Sequence, residues 1–190
     1  GDFWYCKNKK GLFSEVIADL ILRRNEVKKQ LKTTKDSLLA ARSEALKVLA
    51  NSFYGYMAFA PARWYCIECA ESTTALARQY IHQAITSAQK AGFTVLYSDT
   101  DSIFLLLEEK TKEDALSWMA QINKLLPGLV ELDYEGFYPA GVFVSLKAGE
   151  GGAKKKYALI DEKGVMKIRG FETIRRNWSV IAKEVQAKVL

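Results

Sequence analysis

The sequence predicts an α+β fold in which a helical hairpin precedes a domain with an antiparallel β-sheet backed by helices. Two segments of helical periodicity near the start are joined by a few residues, a long helical pattern follows, and strand-like segments then alternate with helices. The chain has 190 residues, 49% of them hydrophobic, so it can bury a core in one large domain or two small ones. We expect the helical hairpin to occupy residues 1–57 and the second domain residues 58–190.

Apolar spacing and capping residues indicate the helical hairpin. Ser14 can cap a first helix, whose apolar residues at helical spacing are Val16, Leu20, Val27 and Leu31. Asp36 can cap a second helix, which we expect Gly55 to end. Its inward-facing residues are Leu38, Leu39, Leu46, Leu49 and Phe53. Two helices joined this tightly should pack antiparallel.

The rest of the chain is predicted to alternate helices and strands. A long helix from Ala62 to Ala91 is ended by Gly92. An amphipathic helix from Glu113 to Leu126 is ended by Pro127-Gly128, and a final helix begins near Asn177. The predicted strands are Phe93–Tyr97, Ile103–Leu107, Val130–Tyr134, Gly141–Leu146, Tyr157–Ile160 and Val165–Arg169, the last two joined by the turn Asp161–Gly164.

The segment between the first two strands carries two carboxylates, Asp99 and Asp101. Like charges at the tip of a tight hairpin repel each other unless a cation lies between them, which indicates a site for a divalent metal ion. An ordinary turn in which Asp caps its own backbone is the commoner explanation for an isolated Asp-x-Asp. A calcium-binding EF-hand is excluded, because Phe104 and Lys110 occupy the positions of its glycine and its bidentate glutamate.

A polar stripe runs along the predicted second helix. Lys47, Asn51 and Tyr54 fall within roughly 60° of arc, and Arg24 and Lys28 share an edge of the first helix. Side by side, these residues would offer three cations to a triphosphate and an aromatic ring to a base. On the residues alone, a solvated helix face with incidental charges is the commoner explanation.

The charge is unevenly distributed. The net charge is +6, yet residues 99–135 carry 3 Lys/Arg against 9 Asp/Glu, whereas residues 1–60 carry 11 against 6 and residues 136–190 carry 11 against 5. An acidic centre between basic arms suits a metal-dependent site that acts on a polyanion, although simple surface solvation explains the charges equally well. There is no apolar stretch of transmembrane length and no signal-peptide pattern, so we expect a soluble, cytoplasmic protein that binds no membrane.

The three cysteines are too few for a zinc site of their own. Cys66 and Cys69 form one C-x-x-C, whose spacing is compatible with a local disulfide, half of a metal site or two thiols. In a cytosolic protein, thiols are the default.

Six segments together resemble the family B DNA polymerases, most closely their archaeal replicative branch. Lys47–Tyr56 is similar to the fingers motif of the family, and Tyr97–Ser102 is similar to its metal-binding palm motif. The further matches, in the same order along the chain, are Trp64–Ser72, Tyr134–Tyr138, Lys154–Tyr157 and Arg175–Ser179. The resemblance implies that residues 1–57 are the fingers and residues 58–190 most of the palm.

The resemblance also implies an activity: template-directed transfer of a dNMP to a primer 3′-hydroxyl by a two-metal mechanism. Asp101 would bind two Mg²⁺ ions directly, Asp99 would contribute more weakly, and Asp133 and Glu135 would be further palm carboxylates. Lys47 would join Asp101 and Asp99 as a catalytic residue.

Binding roles follow from the same resemblance. Arg24, Lys28 and Lys47 would hold the incoming dNTP, while Asn51 and Tyr54 would line the pocket for the nascent base pair. The residues implied to contact primer-template DNA are Lys154, Lys155, Lys156, Tyr157, Arg169, Arg175 and Arg176. Cys66 and Cys69 match a pair that forms a disulfide in heat-adapted members, and an intracellular disulfide is plausible only in a thermophile.

The chain also departs from the family pattern. Residues 147–153 form an extra loop, Lys156 stands where the family usually has Arg, and Asn177 stands where Asp is usual. The first palm motif of the family would lie upstream, so we expect the chain to be inactive without that segment, as one piece of a split polymerase or an excised fragment. The alternative is a non-catalytic, palm-like module of a split polymerase that binds nucleic acid or supports assembly. Expected partners are primer-template DNA, dNTP, the remaining polymerase domains or a complementary subunit and, through the complete enzyme, a sliding clamp at the nucleoid.

Overall fold

The computed structural model describes residues 3–145 and 152–190 and confirms the α+β class. The helices are α1 (Leu12–Leu31), α2 (Ser37–Ala58), α3 (Ile67–Lys90), α4 (Lys112–Asn123) and α5 (Val180–Val189), with a short 3-10 turn at Glu172–Ile174. The strands are β1 (Thr94–Asp99), β2 (Ser102–Leu106), β3 (Ala140–Ser145), β4 (Gly152–Ile160) and β5 (Met166–Arg169). Strands β1 and β2 pair antiparallel, and β3, β4 and β5 form a second antiparallel sheet in that order.

The chain divides into two compact units. The first contains the residues up to Tyr80 together with Pro127–Val130, and the second contains Ile81–Leu126 and Glu131–Leu190. The division into fingers and palm after residue 57 stays a prediction. Among the described residues, no helix combines the length and the apolar character needed to cross a bilayer.

Helices α1 and α2 form the predicted antiparallel hairpin. The Phe13 ring near the start of α1 lies 5.4 Å from the Phe53 ring and 6.3 Å from the Tyr56 ring, both near the end of α2. Leu20 and Val27 of α1 are buried.

Of the two predicted N-caps in this hairpin, only that of α2 is correct. Asp36 caps α2 as expected, since its Oδ1 accepts a hydrogen bond from the Leu38 amide at 2.7 Å. The prediction for Ser14 is wrong: α1 begins at Leu12, and extended Gly11 is its N-cap.

Gly55 does not end α2, which continues to Ala58. A glycine inside a helix costs only about 1 kcal/mol relative to alanine, and the next turn buries Met57. Helix α3 begins at Ile67 and not at Ala62, because Ala62 and Tyr65 lie in successive turns between the helices.

The core of the second unit packs α3 and α4 against the β1–β2 hairpin. Ala84 and Ala88 of α3 meet Phe93, Trp118 and Ile122, and all five are buried. Small side chains on α3 allow close packing, and Val95, Ile103 and Leu105 of the hairpin lie against this core. Gly92 ends the α3 region with φ +80°, as predicted from its position.

The predicted strand Val130–Tyr134 is wrong. The Asn123 side chain donates to the Leu132 carbonyl at 2.9 Å and accepts from the Leu132 amide at 2.7 Å. This side chain satisfies the backbone groups that a strand would have paired, so the segment stays irregular.

The remaining element boundaries differ from the predictions by a few residues. Strand β4 begins at Gly152, five residues before the predicted Tyr157. Helix α5 begins at Val180 and not near Asn177, because Ser179 caps it by accepting from the Ala182 amide at 3.4 Å. The predicted strand end Leu146 and the loop residues 147–151 lie outside the described residues.

Candidate active site

The carboxylate hairpin, residues 94–106, is the predicted hairpin with two carboxylates at its tip. Asp99 pairs with Ser102, so Thr100 and Asp101 form a two-residue turn. Thr100 adopts a left-handed backbone (φ 55°), and the Asp101 amide donates to the Asp99 carbonyl at 2.6 Å. This tight turn presents the Asp101 side chain to solvent.

Four aromatic rings fix the carboxylate hairpin to the second sheet. Tyr97 opposes Phe104 across β1–β2, and Phe143 opposes Tyr157 across β3–β4. The ring centroids of the two pairs lie 5.4–6.0 Å apart. Aromatic contacts of this kind each contribute about 0.5–1.5 kcal/mol beyond the area they bury, so the hairpin stands on a packed base.

Lys155 of β4 is bonded to the carboxylate hairpin at two points. Its ammonium nitrogen lies 2.6 Å from the Oδ2 atom of Asp99, and its amide donates to the Tyr97 hydroxyl at 2.7 Å. The hydrogen bond to Asp99 raises the pKa of Lys155, and the charge of Asp101 acts in the same direction. The ammonium therefore offsets part of the repulsion between the two carboxylates.

Gly170 fixes the backbone that carries this lysine. Lys155 itself has φ +60°, which is unusual for a residue with a side chain. Gly170 has φ +69°, and a Cβ atom added to it would lie 1.8 Å from the Lys155 carbonyl oxygen. Only glycine allows this close approach.

The other two predicted carboxylates lie on the irregular segment before β3. The Lys167 ammonium binds the Glu135 carboxylate and lies 5.6 Å from the Tyr138 ring centroid. Desolvation alone would lower the pKa of Lys167, but the hydrogen bond and charge of Glu135 outweigh it and raise that pKa. The Asp133 residue is exposed.

The donor set fits magnesium. Across residues 3–145 and 152–190, no group of three or more His, Cys, Asp and Glu side chains is close enough to hold a metal ion. Mg²⁺ usually takes one or two protein carboxylates and completes its shell with water and substrate phosphates. Asp99 and Asp101, two hard oxygen donors on one turn, match that requirement.

The predicted nucleotide residues all lie on the helical hairpin. Phe13 of α1 contacts Phe53 and Tyr56 of α2. Because the two helices are antiparallel, counting forward from Phe13 in α1 and backward from these residues in α2 places Arg24 at the level of the α2 turn that contains Glu44. The Lys47 ammonium lies 3.1 Å from the Glu44 carboxylate, and the two side chains are 44% and 63% exposed.

The other predicted nucleotide residues differ in exposure. Arg24 and Lys28 are half-buried, and the Nε atom of Arg24 is buried without a hydrogen-bond partner in the described part of the chain. Asn51 and Tyr54 are exposed.

Comparison with known proteins decides the family. A family model described as DNA polymerase family B matches residues 2–190. The chain belongs to DNA polymerase family B. Its relatives include DNA polymerase 1 of Pyrococcus abyssi (strain GE5 / Orsay), 48% identical over 194 residues, and the DNA polymerase of Thermococcus gorgonarius, 49% identical over 195 residues. The DNA polymerase of Desulfurococcus sp. (strain Tok) is 48% identical over 195 residues.

Each of these alignments covers 98% of this chain but 24% of the relative. The chain therefore spans about a quarter of the length of the curated relatives it matches. The family resemblance inferred from the motifs is confirmed, and family B DNA polymerases generally use divalent metal ions.

Within this family B chain, the residues predicted to contact DNA have different surroundings. Lys156 binds Glu172 at 2.7 Å, and Tyr157 is buried in the aromatic base of the carboxylate hairpin. The exposed members are Lys155, Arg169, Arg175 and Arg176. The side chain of Lys154 lies outside the described part of the structure.

Cys66 and Cys69 are close together in the structure. Both are free thiols, and their sulfur atoms lie 2.9 Å apart, compared with about 2.05 Å in a disulfide. The hydrogen bond with Cys66 and burial raise the pKa of Cys69. The predicted disulfide needs only a small closure of this gap and stays a prediction.

Sequence reasoning missed the groups that hold the carboxylates and the basic residues in place. Gly170 follows directly after a strand, and a glycine there signals close backbone approach. The ion pairs of Asp99, Glu135 and Glu172 join residues 56, 32 and 16 positions apart, so no local pattern reveals them.

Proposed function

We propose that this chain is the fingers and palm portion of a DNA-directed DNA polymerase that transfers a dNMP to a primer 3′-hydroxyl. The observation that carries the proposal is the carboxylate hairpin, in which Asp99 and Asp101 share one tight turn within a chain of this family. In this reaction the primer 3′-oxygen bonds to the α-phosphorus, the bond to the leaving pyrophosphate breaks, and the hydroxyl proton is released.

Asp101 is proposed as the direct ligand of two Mg²⁺ ions, and Asp99 as a weaker one. When bound, such ions lower the pKa of the attacking hydroxyl and neutralise charge on the leaving group. The Asp101 carboxylate is exposed and can coordinate an ion. The Asp99 carboxylate forms an ion pair with Lys155, which weakens its interaction with a metal ion. Glu135 and Asp133 remain proposed supporting carboxylates.

The helical hairpin is proposed to bind the incoming dNTP. Lys47, Arg24 and Lys28 would neutralise the triphosphate, and Asn51 and Tyr54 would line the pocket for the new base pair. The Lys47–Glu44 pair is exposed, and such pairs contribute about 0.2–1 kcal/mol, so a phosphate can replace Glu44 at little cost.

Primer-template DNA is the proposed polyanionic partner. The proposed contacts from the basic end of the chain are Lys154, Lys155, Tyr157, Arg169, Arg175 and Arg176. Lys156, the remaining residue of the predicted set, is bound to Glu172, and its role is considered separately below. Further polymerase segments or a complementary subunit and, through the complete enzyme, a sliding clamp are the other proposed partners. Because its substrate would be chromosomal DNA, we expect the protein to act at the nucleoid.

A second candidate is a non-catalytic module that grips nucleic acid within a split polymerase. This candidate is favoured by the ion pair between Lys155 and Asp99, because the ammonium competes with a metal ion for one of the two carboxylates at the tip. The first candidate is preferred, because a module without chemistry has no need for a second, exposed carboxylate at the same tip.

Primer extension distinguishes the two candidates. The chain, combined with a polypeptide that supplies the first palm motif of the family, should extend a primer in a magnesium-dependent way. Asp101→Asn should abolish extension without changing the circular dichroism spectrum, and the exposed Glu109→Gln change is the matched control. Extension that survives Asp101→Asn would refute the proposed role.

A further inference from the structure

A cluster around Glu172 joins strand β4, the 3-10 turn and helix α5. We define this Glu172 cluster as Lys156, Phe171, Glu172, Thr173 and Gln186. The Lys156 ammonium lies 2.7 Å from one Glu172 carboxylate oxygen and 5.2 Å from the Phe171 ring centroid. The Gln186 amide group donates to the other carboxylate oxygen and accepts from the Thr173 backbone amide at 2.9 Å. Both ends of the Gln186 amide are therefore engaged.

The Lys156–Glu172 ion pair is less exposed to solvent than the neighbouring Lys155–Asp99 ion pair. The side chains of Lys156 and Glu172 are 29% and 16% exposed, whereas the side chain of Lys155 is 66% exposed. The hydrogen bond from Lys156 and that from Gln186 lower the pKa of Glu172 to about 2, so the carboxylate stays ionised near neutral pH. The Lys156 ammonium therefore pairs with a carboxylate that is ionised near neutral pH.

The Glu172 cluster links the residues before the loop of residues 175–179 to the helix that follows this loop. Glu172 and Thr173 lie just before this loop, and Gln186 projects from the second turn of α5 just after it. The Arg175 amide also donates to the Glu172 carbonyl at 3.2 Å. The loop carries Arg175 and Arg176, both exposed.

We propose that Lys156 is a positioning residue, which with Glu172 and Gln186 sets the direction in which Arg175 and Arg176 face a DNA backbone. This inference rests on the proposed DNA-binding function and deepens it. Lys155 reaches the carboxylate hairpin, whereas Lys156, the next residue of β4, reaches the Glu172 cluster. Lys156 itself makes no phosphate contact.

Amide hydrogen exchange of the 190-residue chain tests the cluster without DNA. Lys156→Gln and Glu172→Gln should each raise the exchange rate of the Thr173 amide about tenfold, since each change removes a hydrogen bond between charged groups. Lys163→Gln, on the exposed turn before β5, is the matched control and should leave that rate unchanged. Unchanged Thr173 exchange in both cluster variants would overturn the proposal.

DNA affinity distinguishes a positioning role of Lys156 from a direct phosphate contact, because the two roles predict opposite effects of Glu172→Gln. If Lys156 bound phosphate directly, Glu172→Gln would free its ammonium, remove a negative charge and tighten binding. Positioning predicts instead that Glu172→Gln and Lys156→Gln each weaken binding of a primer-template duplex about tenfold at fixed salt.

A coupling measurement completes the test. In an Arg175→Gln, Arg176→Gln background, neither cluster change should weaken DNA binding further, because it acts only through these arginines. Tighter binding by Glu172→Gln, or additive losses in the double-arginine background, would overturn the proposal. A wild-type chain that binds no DNA would refute the proposed function, while the exchange experiment would still decide whether Lys156 holds the loop.

Discussion

The carboxylate hairpin and the helical hairpin hold their proposed functional residues in different ways. Asp99 is bonded to Lys155, a residue 56 positions away, on a hairpin whose aromatic pair packs against a second pair from β3 and β4. In residues 3–145 and 152–190, the ion pair of Lys47 is with Glu44, three positions away on the same helix, and both side chains are exposed. Tertiary contacts therefore fix Asp99, whereas a contact within one helix holds Lys47.

This difference suits the two proposed tasks. Charges that stabilise a reacting group work best when they are oriented before the reaction, because they then need no reorganisation. Residues that admit and release a nucleotide must instead exchange partners, and an exposed local ion pair allows that exchange at little cost. We therefore expect stability to depend strongly on the supports of the carboxylate hairpin and weakly on the cations of the helical hairpin.

The largest expected effect is that of Gly170→Ala. The new Cβ atom would meet the Lys155 carbonyl oxygen at 1.8 Å in a left-handed backbone, so the two segments must separate. We expect the free energy of unfolding in urea to fall by about 2–4 kcal/mol, from backbone strain and overpacking together. Gly164→Ala is the matched control: it shares a positive φ, +78°, but meets nothing within 4 Å, so it should cost only about 1–2 kcal/mol. Equal losses would show that Lys155 is not held by this approach.

Tyr97→Phe should have an intermediate effect. It removes the hydroxyl oxygen that accepts from the Lys155 amide. Lys155 is exposed, so water can reach its amide, and loss of this hydrogen bond should lower the free energy of unfolding in urea by about 0.5–1.5 kcal/mol. Tyr54→Phe, on the exposed face of α2, should change the free energy of unfolding by less than about 0.5 kcal/mol. A Tyr97→Phe variant as stable as the wild type would contradict the two-point attachment of Lys155.

Lys47→Ala should have the smallest effect on stability. Loss of its exposed pair with Glu44 should lower the free energy of unfolding by less than about 1 kcal/mol. Calorimetric affinity for a dNTP should nevertheless fall, about tenfold, because a charge-assisted contact to the triphosphate is lost. The exposed loop residue Lys35 gives the control Lys35→Ala, which should alter neither quantity. Unchanged dNTP affinity in Lys47→Ala would separate the helical hairpin from nucleotide binding.

Local rules explain which elements the sequence predicted correctly. The Asp36 cap, the left-handed Gly92 and the tight turn at Asp99–Ser102 each depend on a few consecutive residues. The errors arose where a distant or competing group decided the outcome. The Asn123 side chain forms hydrogen bonds with the Leu132 amide and carbonyl. Helix α2 continues past Gly55 to Ala58, and its last turn buries Met57.

The candidate site was predictable in its donors but not in its supports. Two aspartates on one turn are visible in the sequence, and the family motifs identified them. The partner of Asp99 was not predictable, because a lysine in a basic run gives no sign of which carboxylate it will meet 56 positions away. The same holds for Lys156, whose pairing with Glu172 depends on how β4 and the following 3-10 turn pack.

Mn²⁺ in place of Mg²⁺ would locate a metal site at the tip of the carboxylate hairpin, because this paramagnetic ion broadens the NMR signals of nearby amides. We expect Mn²⁺ to broaden selectively the amide signals of Thr100, Asp101 and Ser102, and Asp101→Asn to remove this broadening. Broadening that survives Asp101→Asn, or that centres on the exposed pair Glu108 and Glu109, would contradict a metal site at the tip of the carboxylate hairpin.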